Sequence, residues 1–182
     1  FGFRCGVLAA ELDDAKQMYN TYGDIVPPPG GRIHFLPSIV VQQDEDWTAA
    51  LETVGNRPPA SCVQQAEHLY PPSGWGVIHK NFVLLNQPGW SLDQFLVWGK
   101  KNWLNGTTAR DVFEVGRKYP DLNLKRGMKG TMWICATDKQ IFDGSPVQPA
   151  VYWYDVVQHW ASFYIANVCR DDAWCLLSRE SA

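Results

Sequence analysis

In the stretch RPPASCVQQAEHLYPPSG, residues 57–74, Cys62 falls near the start of a short predicted helix, directly after Pro-Pro-Ala-Ser. Free backbone N–H groups and the positive end of a helix lower a thiol pKa and favour the nucleophilic thiolate. Such a nucleophile needs a base. His159, at the head of a predicted strand in VYWYDVVQHW, and His79, in WGVIHKN, are the two candidates. Asp155 lies four residues before His159. On a helix the two would sit one turn apart and pair directly, with Ser162 continuing the stripe. On a strand they would share a face about 13 Å apart and help line a small pocket for acid–base chemistry. A serine nucleophile in mid-helix lacks the preorganised donors that an oxyanion requires, so a serine triad is not expected.

The order of a cysteine on a helix followed by a histidine leading a hairpin resembles transglutaminase-like and papain-like thiol enzymes. The resemblance implies a thiol hydrolase or transferase with Cys62 as nucleophile and His159 or His79 as base. No third, orienting residue stands at an expected position: Ser178 occupies the place where an aspartate would serve.

A third cluster is basic. Lys100, Lys101, Arg110, Arg117, Lys118, Lys125, Arg126 and Lys129 make up eight of the sixteen Lys and Arg, whereas residues 1–56 hold eight acids against three basic residues. This asymmetry predicts a partner-facing surface, with Arg117, Lys118, Lys125, Arg126 and Lys129 as candidates for an acidic or phosphorylated ligand at 117–129. The run LKRGMKGT lacks the phosphate-loop spacing, and no base-reading motif accompanies the charge, so nucleic acid is not the expected partner.

Composition narrows the classes further. The 182 residues are 46% hydrophobic, 19% charged and 13% aromatic with nine Trp, and carry a formal net charge of -3. That is ample apolar mass for a core, and the surplus of rings predicts an interface as well. The most apolar run is interrupted by Asp155, Gln158, His159 and Asn167, so no membrane span is expected. The five cysteines, Cys5, Cys62, Cys135, Cys169 and Cys175, form no Cys-x-x-Cys pair and have no histidine at zinc-finger spacing, so neither a metal nor another cofactor is expected. The odd count favours the cytoplasm or an organelle interior over secretion, without fixing the compartment. The chain begins at Phe1, which predicts a trimmed or processed start.

The elements that must position these residues follow from periodicity and punctuation. Residues 7–22 have helical spacing, and RIHFLPSIVVQ (32–42) is rich in β-formers, with Pro37 marking an edge strand or two short pieces. Short helices are expected over WTAALETV and between Pro59 and Pro71. Residues 75–85 read as a strand. SLDQFLVWGKKNWL (91–104) carries a Ser91/Gln94 capping box, Thr108 caps ARDVFEVGRKY, and 130–144 suggests a strand and a turn. The stretch 150–177 favours strands through its Val, Tyr, Trp, Phe and Ile content. The sum predicts an α+β domain over 1–182, with helices packed on one face of a largely antiparallel sheet and a C-terminal β-hairpin. Residues 57–74 are the only plausible seam. The leading functional expectation is a non-catalytic binding or assembly module with an aromatic surface and a basic face, serving a protein partner or larger assembly. Alternatives are the thiol enzyme and a small-ligand pocket protein using Asp155 and His159.

Overall fold

The computed structural model describes residues 25–125, 131–155 and 158–180; the helix expected over 7–22 lies outside them. Five helices pack against a seven-stranded, mostly antiparallel sheet. The strands are β1 (Arg32–Gln42), β2 (Val77–Asn86), β3 (Met132–Cys135), β4 (Gln140–Phe142), β5 (Ser145–Trp153), β6 (His159–Tyr164) and β7 (Ala173–Glu180). The helices are α1 (Trp47–Glu52), α2 (Ser61–Gln64), α3 (Leu92–Lys101), α4 (Ala109–Lys118) and α5 (Leu122–Lys125).

Local chemistry explains many of the boundaries. Asp46 caps α1 by accepting from the Ala49 N–H, and both predicted capping boxes form, Ser91 with Gln94 at α3 and Thr108 with Asp111 at α4. β1 is an edge strand whose register slips between Leu36 and Ile39, around Pro37, where the missing N–H cannot join a ladder. Asp143 and Gly144, with φ of 48° and 75°, link β4 to β5 through a two-residue turn of the type that matches strand twist.

The strand order is β1-β2-β7-β3-β5, with β6 on the far side of β5 and β4 pairing the start of β5. Both C-terminal strands form as the sequence predicts, but the sheet separates them. β6 makes its hairpin with β5, while β7 inserts between β2, antiparallel, and β3, parallel. Alternation along the strands divides the core in two. One face carries Phe82, Leu84, Ile134, Val151, Trp153 and Trp174 beneath α1, α2, α4 and α5. The other carries Val83, Leu85, Cys135, Ala150, Cys175 and Leu177, and among the described helices α3 is the one that covers it, through Phe95. Most helices therefore share one face, with α3 as the exception.

The helix-rich core also holds charged groups, of which sequence reading named only Arg110, as part of the basic cluster. Lys80 on β2 donates to both carboxylate oxygens of Asp111 on α4, at 2.9 and 3.0 Å, with side-chain exposures of 8% and 0%. Arg110 lies over the Trp47 ring, 5.0 Å from its centroid, and donates to the carbonyls of Tyr70 and Glu45. Residues 57–74 run beside the sheet rather than away from it. The Ala60 N–H donates to the Ala161 carbonyl of β6, and the Asn56 side chain accepts from the His159 N–H. The Pro58-Pro59 segment thereby covers part of the β6 edge, which would otherwise be open to strand addition. No helix among the described residues is long and apolar enough to cross a membrane.

Candidate functional site

The residues proposed for thiol chemistry are held apart. Cys62 is the second residue of α2, a helix of four residues whose N-cap, Ala60, offers no side-chain cap. One turn builds little dipole, so the feature that would activate the thiol is weak. The half-buried sulfur packs against the helix-side core and makes no hydrogen bond to an imidazole among the described residues. His79 is exposed on β2, where its neighbour Lys80 turns inward to Asp111. Alternation therefore points His79 to the opposite face from the one that Cys62 packs on.

His159 is on the correct face but sequestered. Its ring is 4% exposed and stacks on Trp153, its cross-strand partner, at 5.6 Å and an interplanar angle of 6°. Burial pulls its pKa below the ordinary histidine value, with the Val54 and Gly116 carbonyls opposing the shift, and Nδ1 has no hydrogen-bond partner among the described residues. The surrounding backbone is tight: a Cβ on Gly55 would lie 2.1 Å from the His159 carbonyl oxygen. A core-packed imidazole results, whose burial disfavours its charged form. Asp155 does not share a strand face with it, because β5 ends at Trp153 and Asp155 sits exposed in the turn before β6.

The basic cluster is similarly divided. Arg117 donates to both Glu45 carboxylate oxygens, at 3.1 and 3.0 Å, and to Glu114 at 2.7 Å, so its guanidinium is committed within the fold. Arg110, a cation of the same stretch, is buried against Trp47. Lys118 is exposed at the end of α4, Lys125 ends α5, and Arg126 and Lys129 lie outside the described residues.

What the sheet does bring together is a set of aromatic rings. Trp133, Tyr152 and Trp160 are directly opposite one another on the adjacent strands β3, β5 and β6, all on the face that α3 covers only farther along. Trp133 stacks on Tyr152 at 4.2 Å and 25°, and Trp160 stands at 90° to Tyr152 with centroids 5.0 Å apart. Tyr154, 58% exposed, tilts toward Trp160 at 6.5 Å. Tyr152, Tyr154 and Trp160, with Arg57, Pro58 and Gln158, line an open cleft of about 560 Å³. Among the described residues the Trp160 indole N–H, the Tyr152 and Tyr154 hydroxyls and the Arg57 guanidinium make no hydrogen bond within the protein. The Tyr-x-Tyr at 152 and 154 is the local signal of this surface; its cross-strand register has none.

The same face buries three thiols that sequence reading treated separately. Cys135, Cys169 and Cys175 line a cavity of about 30 Å³ between α3 and the sheet, and Cys135 is the cross-strand neighbour of Cys175. All are free, and burial pushes each thiol pKa upward, which suppresses the reactive thiolate. No group of His, Cys, Asp and Glu among the described residues is arranged to hold a metal ion. In comparisons with known proteins, no family model, curated protein or solved structure matches the chain.

Proposed function

We propose that this chain is a non-catalytic binding or assembly module, and that its contact surface is the open aromatic end of the sheet. The observation that carries the reading is the alignment of Trp133, Tyr152 and Trp160 across three neighbouring strands, with Tyr154 exposed beside them. Burying a ring is strongly favourable, yet Tyr152, Tyr154 and Trp160 line a cleft open to solvent. Trp and Tyr are the residues that most often anchor protein interfaces. Their supporting shell is rigid, because each ring stands on a paired strand or directly beside one. The unpartnered donors on the rings add directional contacts that a partner's acceptors would satisfy.

A protein partner or a larger assembly is the expected counterpart, in keeping with Arg57 as the one cation among the described residues that line the cleft. Size-exclusion chromatography with light scattering, on the native chain and on a Tyr154→Ala/Trp160→Ala variant, tests the reading. The expected result is a native species heavier than one chain, alone or with its co-purified partner, which the variant loses while its melting temperature stays within a few degrees. A native chain that runs as a monomer with nothing bound, indistinguishable from the variant, would refute it.

A further inference from the structure

We infer that the occupant of the cleft at Tyr152, Tyr154 and Trp160 is a proline-rich segment of a partner protein in the polyproline II conformation, with a carboxylate placed to meet Arg57. The inference rests on the binding-module reading above and specifies its ligand.

Ring geometry is the first argument. One face of Tyr152 is covered by Trp133 at 4.2 Å, and Trp160 meets Tyr152 at 90°. A sugar or a nucleobase is best held on a broad, free ring face, and successive bases need successive coplanar platforms. Here Trp160 packs against Tyr152 at 90° and against Tyr154 at 41°, so the touching rings give the cleft they line an angled wall rather than parallel platforms, and an angled wall suits a compact, ridged pyrrolidine. Pro-rich segments dock into aromatic-lined grooves in this way, and their preformed helix loses little entropy on binding.

Hydrogen-bond inventory is the second. The cleft presents the Trp160 N–H, two tyrosine hydroxyls and the Arg57 guanidinium, none with a hydrogen-bond partner among the described residues. A polyproline II segment has the complementary set: solvated carbonyl acceptors, and no N–H at its prolines. Charge is the third. Among the described residues that line the cleft Arg57 is the one cation, and Arg170, which also acts on Tyr152, is paired with Asp172, so the cleft matches one carboxylate. Nucleic acid would call for several phosphate contacts.

Tryptophan fluorescence titration of the full chain tests the inference with four probes. Two are end-capped peptides, a run of eight prolines closed by a pair of glutamates and the same run closed by a pair of glutamines. The others are cellohexaose and octathymidylate. Both peptides are expected to bind, the glutamate peptide about threefold more tightly, an advantage that Arg57→Gln removes. Trp160→Ala is expected to weaken both about thirtyfold, and Tyr154→Ala, at a largely exposed position, repeats the loss if the Trp160 variant misfolds. Tighter binding of cellohexaose or octathymidylate than of either peptide overturns the proline assignment, as does no peptide binding. If peptides fail while Tyr154→Ala/Trp160→Ala still disrupts the species seen by light scattering, only the ligand class falls. If that species is also unaffected, the binding-module reading falls with it.

Discussion

Removing Lys80 alone should damage this protein more than removing the whole ion pair to which it belongs. The Asp111 carboxylate is fully buried and accepts two bonds from Lys80 and one from the Thr108 N–H at 2.8 Å. In Lys80→Met the carboxylate keeps its neutral donors but loses the one cation bonded to it among the described residues. Breaking a buried pair from one side costs about 3–5 kcal/mol, because the surviving charge stays desolvated. In Lys80→Met/Asp111→Leu both charges go, and the remaining penalty is the lost capping interaction at α4, about 1 kcal/mol. Urea denaturation followed by tryptophan fluorescence reads the difference. With a slope of about 2 kcal/mol per M, Lys80→Met should lower the midpoint by about 2 M and the double variant by about 0.5 M. A Lys80→Met midpoint within about 0.5 M of native, or a double variant as unstable as the sum of its singles, would refute the reasoning.

Three further outcomes follow from the same geometry. His159 has a folded pKa below its unfolded value, so between the two the unfolded chain binds more protons, and stability should fall as pH drops below about 6.5. The unfolding free energy of native protein minus that of His159→Phe, from urea denaturation, should decline from about pH 7 to about pH 5, with a slope of at most about 1.4 kcal/mol per pH unit; parallel profiles would count against a buried imidazole of lowered pKa. Gly116→Ala, ordinarily favourable in a helix, should destabilise by about 1–3 kcal/mol, since the new Cβ would lie 2.9 Å from Val151 and 3.0 Å from Val54. Brief iodoacetamide treatment with peptide mass spectrometry should label Cys62 ahead of Cys135, Cys169 and Cys175, whose thiols are buried and held protonated; early labelling of Cys175 would contradict the packing of α3.

The features legible in the sequence were those written locally. Ser91 with Gln94 and Thr108 with Asp111 mark helix starts within four residues, and Pro37 marks an edge through its missing N–H. The strand character of 150–177 shows in its side-chain types. What could not be read depends on residues distant along the chain. Lys80 and Asp111 are 31 positions apart, and nothing near either names the other. The alignment of Trp133 with Tyr152 and Trp160 is a matter of register, fixed only when the sheet forms. The thiol reading of Cys62 and His159 followed from residue types; it could not anticipate that His159 would stack on Trp153 and that α2 would stop after one turn.

The central position of β7 has a consequence for how the chain acquires its shape during synthesis. β7 is the last strand along the described chain, yet it lies between β2 on one side and β3 on the other. Until residues 173–180 are made, β1–β2 and the β3–β5–β6 group are two separate half-sheets with facing open edges. Each bears half of a hydrophobic layer. The closing step joins segments nearly a hundred residues apart in sequence, such as Leu84 with Leu176, and such long-range pairing is slow. Until β7 is made, the nascent chain should therefore present sticky, unpaired borders, and engagement by chaperones in that interval is the result expected of this topology.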